Sequence, residues 1–101
     1  MKTNHVHFAP ETIQTFCQKW RIRELALFGS VLREDFGPKS DVDVLVEFED
    51  NAEWDLFDFV DVRDELEQLF GRAVDVVEKP ALRNSIRRRN ILNTMEIVYA
   101  K

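Results

Sequence analysis

Cysteine is nearly absent: Cys17 is the only one in 101 residues. An internal disulfide is therefore excluded, and no paired CxxC spacing suggests a zinc site. Ile13, Phe16 and Trp20 flank Cys17 at helical spacing, so it is expected to fill a core. No apolar run approaches the ~20 residues needed to cross a bilayer, and no membrane association is expected. The opening Met-Lys-Thr-Asn-His-Val-His lacks the apolar stretch of a secretion signal, which makes the cytoplasm the expected compartment. His5 and His7 in that stretch are read as part of an edge or terminal segment rather than as metal ligands. Positive charge is scarce, with 14 Lys and Arg against 19 Asp and Glu. Broad nucleic-acid binding, which needs surplus cations to displace counterions, is not expected. There is no repeat, no low-complexity tract and no linker, and residues 1–101 are expected to form one domain with one modest core.

Hydrophobic periodicity divides the chain into alternating helices and strands. Residues 10–20 read as a helix, with Pro10 suited to its first turn and Ile13, Phe16, Cys17 and Trp20 on one face. Leu25-Ala26-Leu27-Phe28 is a short apolar run that stops at Gly29, as a buried strand would. Ser30 is placed to cap a short helix over 30–35, and Gly37-Pro38 marks a loop. Residues 42–48 alternate and are rich in Val, the pattern of a strand. A helix over about 55–70 carries Leu56, Phe59, Val60, Val62, Leu66, Leu69 and Phe70 on one half-cylinder, and Gly71 stands where a C-terminal cap belongs. Phe57 falls off that face, and with Trp54 it offers either a partner contact or packing from the neighbouring loop. Residues 73–77 make a third strand, 81–92 a basic helix and 95–100 a closing strand. This order points to a small α+β layer, with helices covering mainly one face of a sheet.

Charge is segregated along that order. Twelve acidic residues between Asp41 and Glu67 face one basic residue, Arg63, whereas Arg83, Arg87, Arg88, Arg89 and Lys101 face only Glu96 after Pro80. Solvated helix surfaces account for most of these charges, and the arginine cluster is open to a triphosphate, a partner or RNA. Three carboxylates fit solvation poorly. Asp41 and Asp43 open a strand two residues apart, so both project from one face. Asp75 interrupts a strand otherwise built of Ala and Val; it reads as a metal ligand, with solvent exposure on an edge strand as the competing reading. Neighbouring carboxylates repel unless a cation sits between them, and magnesium, a hard ion that keeps places open for water and phosphate oxygens, suits such a set. With Asp75 on an adjacent strand, the set could hold two ions about 3.5–4 Å apart. Gly29-Ser30, at a strand-to-helix turn ten residues before Asp41, adds backbone N–H groups and a hydroxyl for phosphate. Gly-Ser or Asp-x-Asp alone is weak evidence, but the joint spacing recurs by chance only about once in 10³ chains of this length.

Leu27-Phe28-Gly29-Ser30, the ten-residue gap, Ser40-Asp41-Val42-Asp43-Val44-Leu45-Val46 and Val74-Asp75-Val76-Val77 resemble the minimal nucleotidyltransferase domain. That family is a reduced member of the DNA polymerase β-like nucleotidyltransferase superfamily. Asp64-Glu65-Leu66-Glu67 and Phe70-Gly71-Arg72 extend the resemblance over nearly the whole chain. It implies a polymerase β palm-like fold with a small mixed sheet, and nucleotide transfer from a nucleoside triphosphate, with ATP as the expected substrate. It also implies that Asp41 and Asp43 bind both of two magnesium ions, and that Asp75 binds the catalytic one and helps deprotonate the acceptor hydroxyl. Gly29 and Ser30 would grip the triphosphate, and Arg33 would offset the charge of the leaving pyrophosphate. Many relatives follow that arginine with glycine; Glu34 stands here, a departure that bears on the local loop. Members of the family often pair with a HEPN-domain toxin and act as its antitoxin by attaching AMP to a tyrosine of the toxin. The resemblance therefore implies a hetero-oligomeric HEPN partner. Two other readings stay open: an antitoxin that neutralises a HEPN ribonuclease by contact alone, and a nucleotidyltransferase acting by itself on a small molecule or RNA.

Overall fold

The computed structural model describes residues 2–3, 6–29, 41–79 and 85–101. Lys2–Thr3 (β1) and Val6–His7 (β2) pair antiparallel as a separate two-stranded ladder. Helix α1 follows over Pro10–Lys19, with Pro10 in its first turn and Ile13, Phe16 and Cys17 turned inward. Trp20 caps its C-terminus, and Arg21, at φ 54°, swings the chain into β3, Ile22–Phe28. Strand β4 spans Val42–Phe48, helix α2 Leu56–Phe70, strand β5 Val74–Glu78, helix α3 Ser85–Thr94 and strand β6 Glu96–Ala100. The main sheet runs β5-β4-β3-β6. It is mixed: β4 and β5 are parallel, joined through α2, while β3 lies antiparallel to both β4 and β6. Among the described residues, no helix is long and apolar enough to cross a membrane.

Strand alternation sorts the core into two layers. Val42, Val44 and Val46 of β4, Leu25 and Leu27 of β3 and Val74 of β5 pack with Ile13, Phe16 and Cys17 of α1 and Val62, Leu66 and Phe70 of α2. On the opposite face Ala26, Phe28 and Leu45 pack with Ile91 of α3, with Val77, Leu92 and Met95 around them. Two helices thus cover one face and the third crosses beneath the other. Cys17 is fully buried, as its spacing predicts, and burial pushes its thiol up to about 12.

Helix α2 begins on a reciprocal cap. The Asp58 N–H donates to Asp55 Oδ1 at 2.9 Å, and the Asp55 N–H donates to Asp58 Oδ2 at 3.1 Å. It ends at Gly71, left-handed at φ 67°. One expectation for this helix fails: Leu56 is 74 % exposed, although its spacing suggests a place on the inner face. The buried stripe of Val62, Leu66 and Phe70 centres about 80° round the helix from Leu56 and opposite Phe57, which is also exposed. Trp54 packs instead of joining an exposed pair with Phe57. Its ring meets Trp20 edge-on at 5.3 Å between centroids, and its Nε1–H donates to the Trp20 carbonyl at 2.8 Å.

Part of the acidic block is neutralised across elements. Lys79 lies 3.7 Å from Glu24 and 3.6 Å from Glu47, Lys101 pairs with Glu49, and Arg23 reaches Asp50 at 3.5 Å. Glu65 ties α2 to α1, accepting from Lys19 Nζ and from Trp20 Nε1. Burial pushes its carboxyl up, but the hydrogen bonds from Lys19 and Trp20 and the Lys19 charge outweigh that and leave it below its ordinary value of 4.5. A depressed carboxylate stabilises the fold above the unfolded-state value and ceases to do so as pH falls through the folded-state value. Glu65→Gln is therefore expected to lower the melting temperature at pH 7, with the difference from wild type shrinking as pH drops below about 4.5. Thermal melts across that range check this.

Candidate active site

Asp43 and Asp75 share the sheet face that carries α3. Asp43 alternates with the inward valines of β4 and so shares the face of Leu45, while Asp75 alternates with Val74 and Val76 and shares the face of Val77. In the parallel register Asp43 stands directly opposite Asp75, and on its other side Asp43 stands opposite Phe28 of β3. Phe28, buried, gives the site an apolar wall. Asp41 immediately precedes β4 and is exposed. The sequence predicts that Asp41 and Asp43 share a face; the register adds that Asp75 faces Asp43 across β4 and β5.

Gly29 closes the third side. It follows β3 at φ 74°, a backbone region that costs other L-residues roughly 1–2 kcal/mol. A Cβ added there would collide with the Asp43 carboxylate. The missing side chain therefore lets backbone and carboxylate approach where a bound phosphate would need both. Ser30, Arg33 and the short helix expected over 30–35 lie outside the described residues, as do Arg83 and the start of the basic helix; Arg88 and Arg89 of α3 are exposed.

The donor set fits a hard divalent cation: oxygen-only, anionic, on rigid strands and open to solvent on the Asp75 side. Among the described residues no three His, Cys, Asp or Glu side chains close into a ligand cluster. Magnesium tolerates that openness, because water and substrate phosphates commonly complete its shell.

One contributor is not evident from the motif spacing. Glu67 Oε2 accepts the Val74 N–H at 3.0 Å, at the residue before Asp75. The available signal was its place four residues before the capping Gly71, which puts its backbone and side chain beside the turn into β5.

The nucleotidyltransferase domain family model matches residues 10–98. The protein adenylyltransferase MntA of Thermococcus cleftensis is 37 % identical over 82 residues, covering 81 % of this chain and 78 % of the relative. A solved toxin–antitoxin with AMP-PNP superposes with a TM-score of 0.71 at 16 % identity, covering 93 % of this chain and 75 % of the other. A complex of tri-AMPylated Shewanella oneidensis HEPN toxin with MNT antitoxin gives a TM-score of 0.59 at 18 % identity, with 91 % and 70 % covered. At those identities the two structures speak to the fold alone.

Proposed function

This chain belongs to the nucleotidyltransferase domain family, and from that premise we propose that residues 1–101 act as a single-domain, magnesium-dependent protein adenylyltransferase. It moves AMP from ATP to a tyrosine hydroxyl of a HEPN-domain toxin and serves as that toxin's antitoxin. The observation that carries the reading is the direct opposition of Asp43 and Asp75 across β4 and β5, with Gly29 against the Asp43 carboxylate. The adenylyltransferase name of the Thermococcus relative and the AMPylated HEPN toxin in the Shewanella complex support the choice of nucleotide and acceptor.

Asp41, Asp43 and Asp75 would hold two magnesium ions, whose charge, when bound, offsets that of the triphosphate and acidifies the acceptor hydroxyl. Asp43, central among the strands and directly opposite Asp75, would share with Asp41 in holding both ions, through which the triphosphate is oriented. Asp75, on the edge strand β5, faces the incoming acceptor and helps draw the proton from its hydroxyl oxygen. That oxygen bonds to the α-phosphorus, and the bond from the α-phosphorus to the bridging oxygen of pyrophosphate breaks. Gly29 and Ser30 hold phosphate oxygens through backbone N–H groups and the serine hydroxyl, and Arg33 offsets the charge leaving with pyrophosphate.

Incubating the protein with ATP, magnesium and the HEPN protein encoded beside it is expected to place AMP on a toxin tyrosine, read by peptide mass spectrometry. An unmodified toxin in a stable complex that is still neutralised after Asp41→Asn with Asp43→Asn would instead establish inhibition by contact.

A further inference from the structure

Glu67 engages the turn between α2 and β5 twice. Its backbone carbonyl accepts from the N–H of Gly71 at 2.8 Å and of Arg72 at 3.2 Å, closing the helix. Its carboxylate accepts from the N–H of Val74 at 3.0 Å, reaching past the cap to the first residue of β5. The residue between them, Ala73, gives its carbonyl to the Val42 N–H at 2.9 Å, the first link of the parallel ladder. Val42 pairs with Val74, and the next pair along is Asp43 with Asp75. A single half-buried side chain thus holds the first residue of β5, one before Asp75, where the ladder that pairs the two carboxylates begins. A charged acceptor strengthens such a bond relative to a neutral one.

We infer that Glu67 is a positioning residue for the transfer reaction: its carboxylate, through the Val74 N–H, holds β5 so that Asp75 stays level with Asp43. This rests on the functional reading above. β5 is an edge strand, and among the described residues no strand pairs with its outer side to help restore the register once this bond is lost. The residue does not touch substrate; it acts through the strand.

The test compares Glu67→Met, which keeps length and helix propensity but removes the acceptor, with Glu67→Gln, which keeps an acceptor oxygen. In wild type and Glu67→Gln the Val74 amide is expected to exchange slowly with deuterium and the magnesium dependence of transfer to be similar. In Glu67→Met that amide exchanges faster, kcat falls by about tenfold or more and half-saturation shifts to higher magnesium, while KM for ATP changes little. Reduced stability alone would lower the melting temperature without moving the magnesium requirement. A folded Glu67→Met protein with wild-type kcat and magnesium dependence overturns the inference, as does a Glu67→Gln protein as impaired as Glu67→Met despite a protected Val74 amide. A wild-type protein inert with ATP, magnesium and its partner overturns the functional reading instead.

Discussion

Replacing Asp43 by Asn is expected to reduce nucleotidyl transfer by at least about 10³-fold while leaving the protein folded. Asp43 stands between Phe28 and Asp75 in the sheet, so no other described carboxylate can take its place. Losing its charge forfeits several kcal/mol of transition-state stabilisation of the kind metal-bound oxygens supply, and about 1.4 kcal/mol corresponds to tenfold in rate. The fold tolerates the change because Asn is isosteric and the packing of β4 rests on Val42, Val44 and Val46, all fully buried. Without metal, the variant also loses the repulsion between two facing like charges. Transfer of labelled AMP and metal-free thermal melts check the two halves. A variant that loses activity and fold together would assign Asp43 a structural role.

Gly29→Ala is expected to be the second most damaging substitution. The added methyl collides with the Asp43 carboxylate and occupies a residue at φ 74°, so strain and displacement act together. The backbone part costs roughly 1–2 kcal/mol of stability. Displacing the carboxylate matters more, since misplacing a reacting group by about 1 Å can cost on the order of 10²-fold in rate. Gly71→Ala separates the two effects. Gly71 is also left-handed, but nothing lies within 4 Å of the position its Cβ would take. That variant is expected to lose similar stability and to keep most of its transfer activity. Equal losses of activity in the two alanine variants would remove the steric argument.

Helix α2 was legible because its signals are local: a 3.6-residue apolar stripe and a terminal glycine. β4 was legible because its valines alternate without interruption. The start of β3 was not. The strand begins at Ile22, three residues before the apolar run, and its charged residues Arg23 and Glu24 pair with Glu47 on β4, with Asp50 just after β4 and with Lys79 just after β5. Those partners exist only once the sheet has formed. Register irregularities between Ile22 and Glu24, and between Leu25 and Ala26, further blur the alternation on which sequence reading relies. For the site, residue types and spacing pointed to Asp41, Asp43 and Asp75, but the pairing of Asp43 with Asp75 depends on strand order and register, which periodicity does not encode. Glu67 belongs to the segment that carries the resemblance, but its bond to Val74 is a consequence of the turn and was not legible from spacing.

The most direct measurement is transfer from ATP labelled at the α-phosphate, set beside ATP labelled at the γ-phosphate, with magnesium and the HEPN partner present. Nucleotidyl transfer through Asp43 and Asp75 predicts that the toxin retains the α-label and never the γ-label, and that Asp43→Asn and Asp75→Asn each abolish retention in folded protein. Retention of the γ-label, or undiminished α-labelling by the Asp75→Asn protein, would contradict it.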